Sequence, residues 1–433
     1  MNDRRSPLAL VLLLAAGPAA AEPLTLRRAV DAALARAPEI AAVRSAIEEG
    51  AAGSREASSA LRPHLYATTT PGYSTGLPVG VAGEIPSLVG VRFRMTLLDM
   101  GLSAERLGSE GREATLGASL AAARAALVRR TAAAYARLAA AEKIVAAAER
   151  RLVAQGAVEK GTAALFREGR RTELEAARAA FETARARRAL LSAESERDLA
   201  AEELRRLAGL PAGAPVVLAD DPLAAVPVPD GTDVADAALA SDPSLLGLSR
   251  EAELLSRAAA FEDRWFKPMI LLDARYTYVP PGFDYAKYFL NFSSSVAAGG
   301  VSVVVPILSG GRDTARGVKA RAQAARLEAE RRAREEELLR EARRAEAALG
   351  PASLDLSLAR LSQGLAEEAL RVARVLEREG RGEPDGVPKA ELMLSAADEE
   401  AARAEEALVG ARLRLLSVRG DLSAWGGPPR ASR

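Results

Sequence analysis

Val91-Arg-Phe-Arg-Met-Thr-Leu-Leu-Asp-Met-Gly101 and Val301-Ser-Val-Val-Val-Pro-Ile-Leu-Ser-Gly-Gly311 are two versions of one segment. In the first, Val91, Phe93, Met95 and Leu97 fall on one strand face and Arg92, Arg94 and Thr96 on the other. In the second, Val301, Val303, Val305 and Ile307 make the apolar face. A third run sets Ile270, Leu272, Ala274, Tyr276 and Tyr278 against Asp273, Arg275 and Thr277. A period of two predicts β-strands. Such alternation over ~10 residues, with aromatics near the ends, suits a strand with lipid on one face and water on the other. An antiparallel sheet on a soluble core alternates in the same way. It would leave Arg92, Arg94, Asp273 and Arg275 in water equally well.

The duplication extends beyond these strands. Ala29-Val-Asp-Ala-Ala-Leu-Ala-Arg-Ala-Pro38 is echoed by Val234-Ala-Asp-Ala-Ala-Leu-Ala-Ser-Asp-Pro243, Leu61-Arg-Pro63 by Phe266-Lys-Pro268, and Phe166-Arg-Glu-Gly169 by Glu377-Arg-Glu-Gly380. The chain therefore reads as two repeats, 22–210 and 231–427, joined by a Pro- and Val-rich linker at 211–230 and followed by a tail at 428–433. Each repeat runs helix, helix, β-hairpin (about 63–98 and 268–308), long helical hairpin (about 102–208 and 312–424).

Residues 25–36 and 39–60 are expected to be helices, punctuated by Asp31 and Pro38. No proline occurs from Ser87 to Leu210, and residues 102–208 are rich in Ala, Leu, Arg and Glu at helical spacing. Gly156, Gly161 and Gly169 are expected to mark the turn, giving one arm at 102–160, about 90 Å long at 1.5 Å per residue, and a second at 170–208. The second arm matches the first only if the helix at 39–60 stacks on its end. In the second repeat, 243–265 plus 389–424 would match 312–378. Gly350-Pro351 is expected to kink that long helix, because proline loses a hydrogen bond there.

Composition narrows the function. Of 433 residues 49% are apolar, but only 17 are aromatic, and Ala and Leu supply most of the rest. Twelve of those aromatics lie in 61–98 and 265–305, the strand regions. The net charge of +1 gives no basic footprint for nucleic acid. The absence of Cys excludes disulfides, thiolate metal sites and a cysteine nucleophile, and one His, His64, argues against acid–base catalysis. A lone His at a strand start reads as structural. Gly310-Gly311 with Gly317 lacks the Lys-Ser/Thr of a phosphate loop and reads as a turn. We expect no catalytic residue, metal or cofactor.

Arg4 and Arg5, the apolar run 8–16, Gly17-Pro18 and Ala19-Ala20-Ala21 make a signal peptide over 1–21, with a mature chain from Glu22. The run is too short to span a bilayer, so any membrane insertion must use strands. Four strands cannot close a barrel, since the smallest have about eight, and open edges in lipid cost several kcal/mol for each unpaired group. Other subunits must complete the wall.

With these motifs in order and repeated, the chain resembles the TolC family of outer-membrane efflux proteins over essentially its mature length. The carriers are Leu26, Ala33-Leu34 and Pro38; the strand entries Arg62-Pro63 and Lys267-Pro268; Leu98-Asp99-Met100-Gly101 with Leu308-Ser309-Gly310-Gly311; and the closing Leu415-Leu416 through Leu422-Ser423-Ala424-Trp425-Gly426-Gly427. The resemblance implies a mainly α fold with membrane β-strands. Long helical hairpins would form a periplasmic helical barrel, and four strands per protomer would contribute to a trimeric 12-stranded outer-membrane β-barrel. It also implies a homotrimer in outer-membrane lipid that passively conducts drugs, metal ions or polypeptides handed over by an inner-membrane pump and a periplasmic adaptor (membrane fusion protein).

Relatives close the periplasmic end with acidic rings. Glu391 stands at the first such position in the second repeat, Leu394 at the next, and Glu173 is the equivalent in the first repeat. A ring of Glu391 would favour cations; a solvated helix-face glutamate is the alternative. In the family the hairpin tips meet the adaptor. Arg167, Gly169, Arg170 and Arg171 at the first tip, and Arg378, Gly380 and Arg381 at the second, are the docking candidates, against simple solvation. Arg92, Arg94, Asp273 and Arg275 are the lumen-facing strand candidates. A type I secretion channel and, from another class, a periplasmic coiled-coil adaptor or scaffold remain alternative readings.

Overall fold

A computed structural model describes residues 23–70, 87–228, 233–278, 293, 295–383 and 385–424. The expected signal peptide, most of the two strand-connecting loops and the C-terminal tail lie outside the described residues.

Thr25 caps α1 (Leu26–Arg36) and Pro38 opens α2 (Pro38–Ser59). Strands β1 (His64–Thr70) and β2 (Ser87–Leu98) follow, β1 starting directly after Pro63. Asp99 then accepts from the backbone N–H groups of Gly101 and Leu102 at 2.8 and 3.1 Å, starting α3 (Met100–Arg167). This helix of 68 residues is about 100 Å long. It returns as α4 (Glu173–Ala208), and a short helix α5 (Pro222–Ala225) marks the linker. The second half repeats the order: α6 (Val234–Ser241), α7 (Pro243–Glu262), β3 (Met269–Tyr278), β4 (Ser295–Val304), α8 (Arg312–Arg378) and α9 (Gly386–Val418). A 3-10 turn at Asp421–Ala424 closes the described chain.

Two expectations are corrected. α3 runs unbroken through Gly156 and Gly161 to Arg167. An interior glycine costs only about 1 kcal/mol, less than the ladder and packing around it supply. The turn forms at Gly169, where φ is 72° and the Arg170 N–H reaches the Leu165 carbonyl at 2.8 Å. Gly380 repeats this left-handed cap, with φ 70° and Arg381 N–H to Leu376 carbonyl at 2.9 Å. α8 continues through Pro351 without interruption. The Ser353 hydroxyl donates to the Gly350 carbonyl at 2.7 Å, and the proline is exposed, so its ring meets no packed neighbour. Second, β4 stops at Val304, short of Val305 and Ile307, because Pro306 has no N–H to donate.

The short helices fill out the length of the long ones. Along α3, contacts with α4 run from Gln155, whose carbonyl accepts from Thr183, to Arg137, which pairs with Glu203 at 3.7 Å. α2 takes over where Glu39 pairs with Arg130 and continues past Gly50 against Leu116. On another side of α3, α9 runs from Asp385 beside Gly161 to the Lys143–Glu405 pair, and α7 continues from Gly247 at Thr115 to Leu255 at Gly108. α8 packs on the far side of α9 and α7.

Alanine sets these interfaces. Ala179, Ala186, Ala193 and Ala200 on α4, and Ala390, Ala397, Ala404 and Ala411 on α9, recur every seven residues and are buried. Small side chains let helix axes approach closely, and a seven-residue period keeps one face inward as helices coil. Larger side chains collect in one layer, where α1, the linker and the ends of α4 and α9 meet the middle of α3: Leu26, Ile40, Leu138, Leu204, Leu413 and Leu422. Tyr135 is fully buried there. Its hydroxyl donates to the Leu24 carbonyl at 2.9 Å and accepts from the Asp220 N–H at 3.0 Å, clamping the N-terminal segment and the linker to α3. Burial pushes its phenol above the ordinary range, so it stays neutral. Tyr135→Phe should leave these backbone groups short of a partner and cost about 1–3 kcal/mol. Thermal unfolding of the solubilised protein measures this; an unchanged midpoint would show the clamp to be dispensable.

Candidate functional site

Chemistry-bearing residues gather at the two ends of the ribbon. At one end the four strands form a single antiparallel sheet in the order β1-β2-β3-β4. Pairing sets Arg94 opposite both His64 and Asp273, and Arg92 opposite both Tyr66 and Arg275. Cross-strand partners share a face, so the four strand candidates lie together, with Arg94 bonded to Asp273 at 3.3 Å. His64 contacts the Ser59 carbonyl at 3.0 Å and stacks on Tyr66, a structural role.

The opposite face is apolar across all four strands. Leu65, Val91, Phe93, Leu272, Tyr276 and Val301 belong to it by register. Leu65 is 71% exposed and Val301 62%. Among the described residues no helix packs across either face, and the outer edges of β1 and β4 have no strand partner. Among the described residues nothing shields the apolar face from water, which argues against a sheet laid on a soluble core. Just before β3, Trp265 is almost fully exposed, a position that suits the membrane–water boundary. No helix is long and apolar enough to cross a membrane.

At the other end are the hairpin tips. Arg167, Gly169, Arg170 and Arg171 sit on the α3–α4 turn, and Arg378, Gly380 and Arg381 on the α8–α9 turn, all exposed. Arg170 and Arg381 pair only with neighbouring exposed acids, Glu168 at 3.5 Å and Glu379 at 3.6 Å, which leaves both arginines accessible. Arg171 instead joins the two tips. It donates to Glu175 at 2.6 Å and lies 3.8 Å from Asp385, which is buried at the start of α9. Glu175 also accepts from the Thr172 N–H while Thr172 caps α4. The Thr172 backbone, then Arg171, hold its carboxyl down at about 2.

Glu173 opens α4, exposed, where a negative charge suits the helix N-terminus. Glu391 is half-buried and accepts from Arg374 of α8 at 3.3 Å. It falls in one seven-residue column with Asp398, which accepts from Gln363, and Glu405, 3.6 Å from Arg360. Each of these acids on α9 engages α8. Sequence reading missed Asp385 and Arg374. Arg171 and Asp385 are over two hundred residues apart, and Arg374 and Glu391 lie on different helices, so neither pair shows a local spacing. Among the described residues no cluster of His, Cys, Asp or Glu could hold a metal ion.

Residues 29–210, the first repeat, match the family model described as outer membrane efflux protein. The second repeat carries the same order of elements. That match covers the first repeat, and solved structures extend the likeness to the fold of the whole chain. No curated protein matches its sequence. Solved structures share its fold at low identity. CusC is 17% identical, with 91% of each chain covered and a TM-score of 0.74. The outer membrane protein VceC from Vibrio cholerae is 17% identical, covering 91% of this chain and 96% of its own, at 0.71. The MtrE outer membrane channel of Neisseria gonorrhoeae, in its open state, is 18% identical, covering 91% and 88%, at 0.71.

Arg171→Ala or Asp385→Ala should release the second tip from the first. Amide hydrogen exchange over 168–175 and 385–389 should rise several-fold in either variant. The double variant should exchange no faster, since the two residues act as one contact. The capping of α4 responds differently to pH. A depressed carboxyl contributes its stabilisation above the ordinary carboxylate range and loses it as pH falls through about 2. The α4 cap should therefore survive at pH 4 in the same exchange measurement.

Proposed function

We propose that three copies of this chain close a 12-stranded barrel in the outer membrane, continued by a helical tunnel in the periplasm. Through it pass solutes handed over by an inner-membrane pump and a periplasmic adaptor. The observation that carries this reading is the open sheet: apolar on one face, charged on the other and unpaired at both edges. In lipid that sheet is stable only if further strands pair with β1 and β4.

The margins of the helical ribbon support the same assembly. On α8 the face turned away from α9 exposes Leu354, Leu358, Leu361 and Leu365. On α4 the free face exposes Leu174, Phe181 and Leu191. Two apolar stripes on opposite margins of one protomer are complementary in a ring of copies, where α4 of one meets α8 of the next.

In this reading the tips are the gated and adaptor-facing end. Arg167, Arg170, Arg378 and Arg381 offer charge to an acidic adaptor surface, with Gly169 and Gly380 shaping the turns. Glu391, held to α8 by Arg374, and Glu173 are the gate positions. Static light scattering of the detergent-purified protein should give three chains per particle. Planar bilayers should then show small, long-lived openings. Glu391→Ala should enlarge them or shift their ion preference by freeing α9 from α8 at the tip. A monomer without conductance would contradict the channel assignment. A conducting trimer unaffected by Glu391→Ala would remove the gate role alone.

A further inference from the structure

One recess lies away from both ends. Arg129 of α3, Arg344 of α8 and Arg414 of α9 line it together with Glu341 and Ser417, enclosing about 380 Å³. Three long cations from three helices thus converge on one space, although they stand more than two hundred residues apart at the extremes. Among the described residues no carboxylate lies within ion-pair distance of any of the three arginines. Glu341 is engaged outside the group, 3.7 Å from Arg334. Glu337 lies in the field of Arg344, but its hydrogen bonds go to Arg340. Most other arginines of α8 and α9 have an acid on the same or a neighbouring helix, so this local excess of positive charge is set apart from its surroundings.

The recess also has a defined side. On α9, Val409, Leu413 and Leu416 enter the layer formed with α1 and the linker. At 100° per residue, Arg414 points roughly 130° away from their mean direction. On α3, Leu127, Val128 and Tyr135 enter that layer, and Arg129 is turned roughly 140° from their mean direction. Arg129 and Arg414 therefore occupy the ribbon face opposite α1 and the linker, and Arg344 lines the same recess. That face becomes the tunnel wall if the ribbon closes with the layer outside.

We infer that Arg129, Arg344 and Arg414 form a binding site for oxyanions, phosphate or carboxylate groups of a passing solute, halfway along the tunnel. Guanidinium groups are planar, permanently charged and matched to two oxygens at once, and three of them here face a single acid, Glu341, which Arg334 shares. In a ring of three copies the site would recur three times at one level and select for anions there. Its position inside a tunnel rests on the channel reading; its anion chemistry does not.

The test uses inorganic phosphate and the purified full chain. Phosphorus-31 linewidths should broaden with the unmodified protein. They should sharpen to the free-solution value with Arg129→Gln/Arg344→Gln/Arg414→Gln, and stay broad with the corresponding triple lysine variant, which keeps the charge. In planar bilayers under a KCl gradient, the reversal potential of the glutamine variant should move toward cation selectivity. Equal broadening by the glutamine variant would overturn the site. Broadening lost with glutamine and kept with lysine, in a preparation that conducts nothing, would keep the site and remove the tunnel.

Discussion

A backbone N–H or C=O group in hydrocarbon has no water to bond, so each must find a protein partner. In this chain that requirement falls on two places, the outer edge of β1 and the outer edge of β4. Every other strand edge is paired within the protomer. The apolar face spread over Leu65, Val91, Leu272 and Val301 has no cover of its own and calls for lipid. The same sheet in water would expose both the face and the edges to aggregation. Lipid and further copies of the chain answer both demands together.

The helical body follows from a different economy of size. Buried alanines at seven-residue intervals on α4 and α9 let helices pack as sheets of rods with little side-chain bulk between them. Such an array has no thick interior. Its large side chains are concentrated where α1, the linker and Tyr135 bind the middle of α3. The tips depend on polar contacts instead, Arg171 with Asp385 and Arg374 with Glu391. These are partly exposed pairs worth little each.

Much of this was legible in the residues. Alternation at Val91–Leu97 and Ile270–Tyr278 placed two strands and their faces, because register along a strand follows a period of two. The paired motifs ending at Gly169 and Gly380 located both tips, because only glycine enters the left-handed turn cheaply. Gly156 and Gly161 misled, since a glycine inside a well-packed helix looks in sequence like one that ends it. Arg129, Arg344 and Arg414, and the bond from Arg171 to Asp385, could not be read at all. Their proximity is made by helix packing between distant segments.

The chain contains no cysteine, so introduced thiols report on edge pairing without interference. The measurement is oxidative cross-linking in outer-membrane vesicles of Ala67→Cys on β1 combined in turn with Ala297→Cys, Gly299→Cys or Val301→Cys on β4. Closure of the sheet by three copies predicts covalent dimers and trimers for at least one pairing, with no larger species. Monomers throughout, or a ladder extending past three, would contradict it.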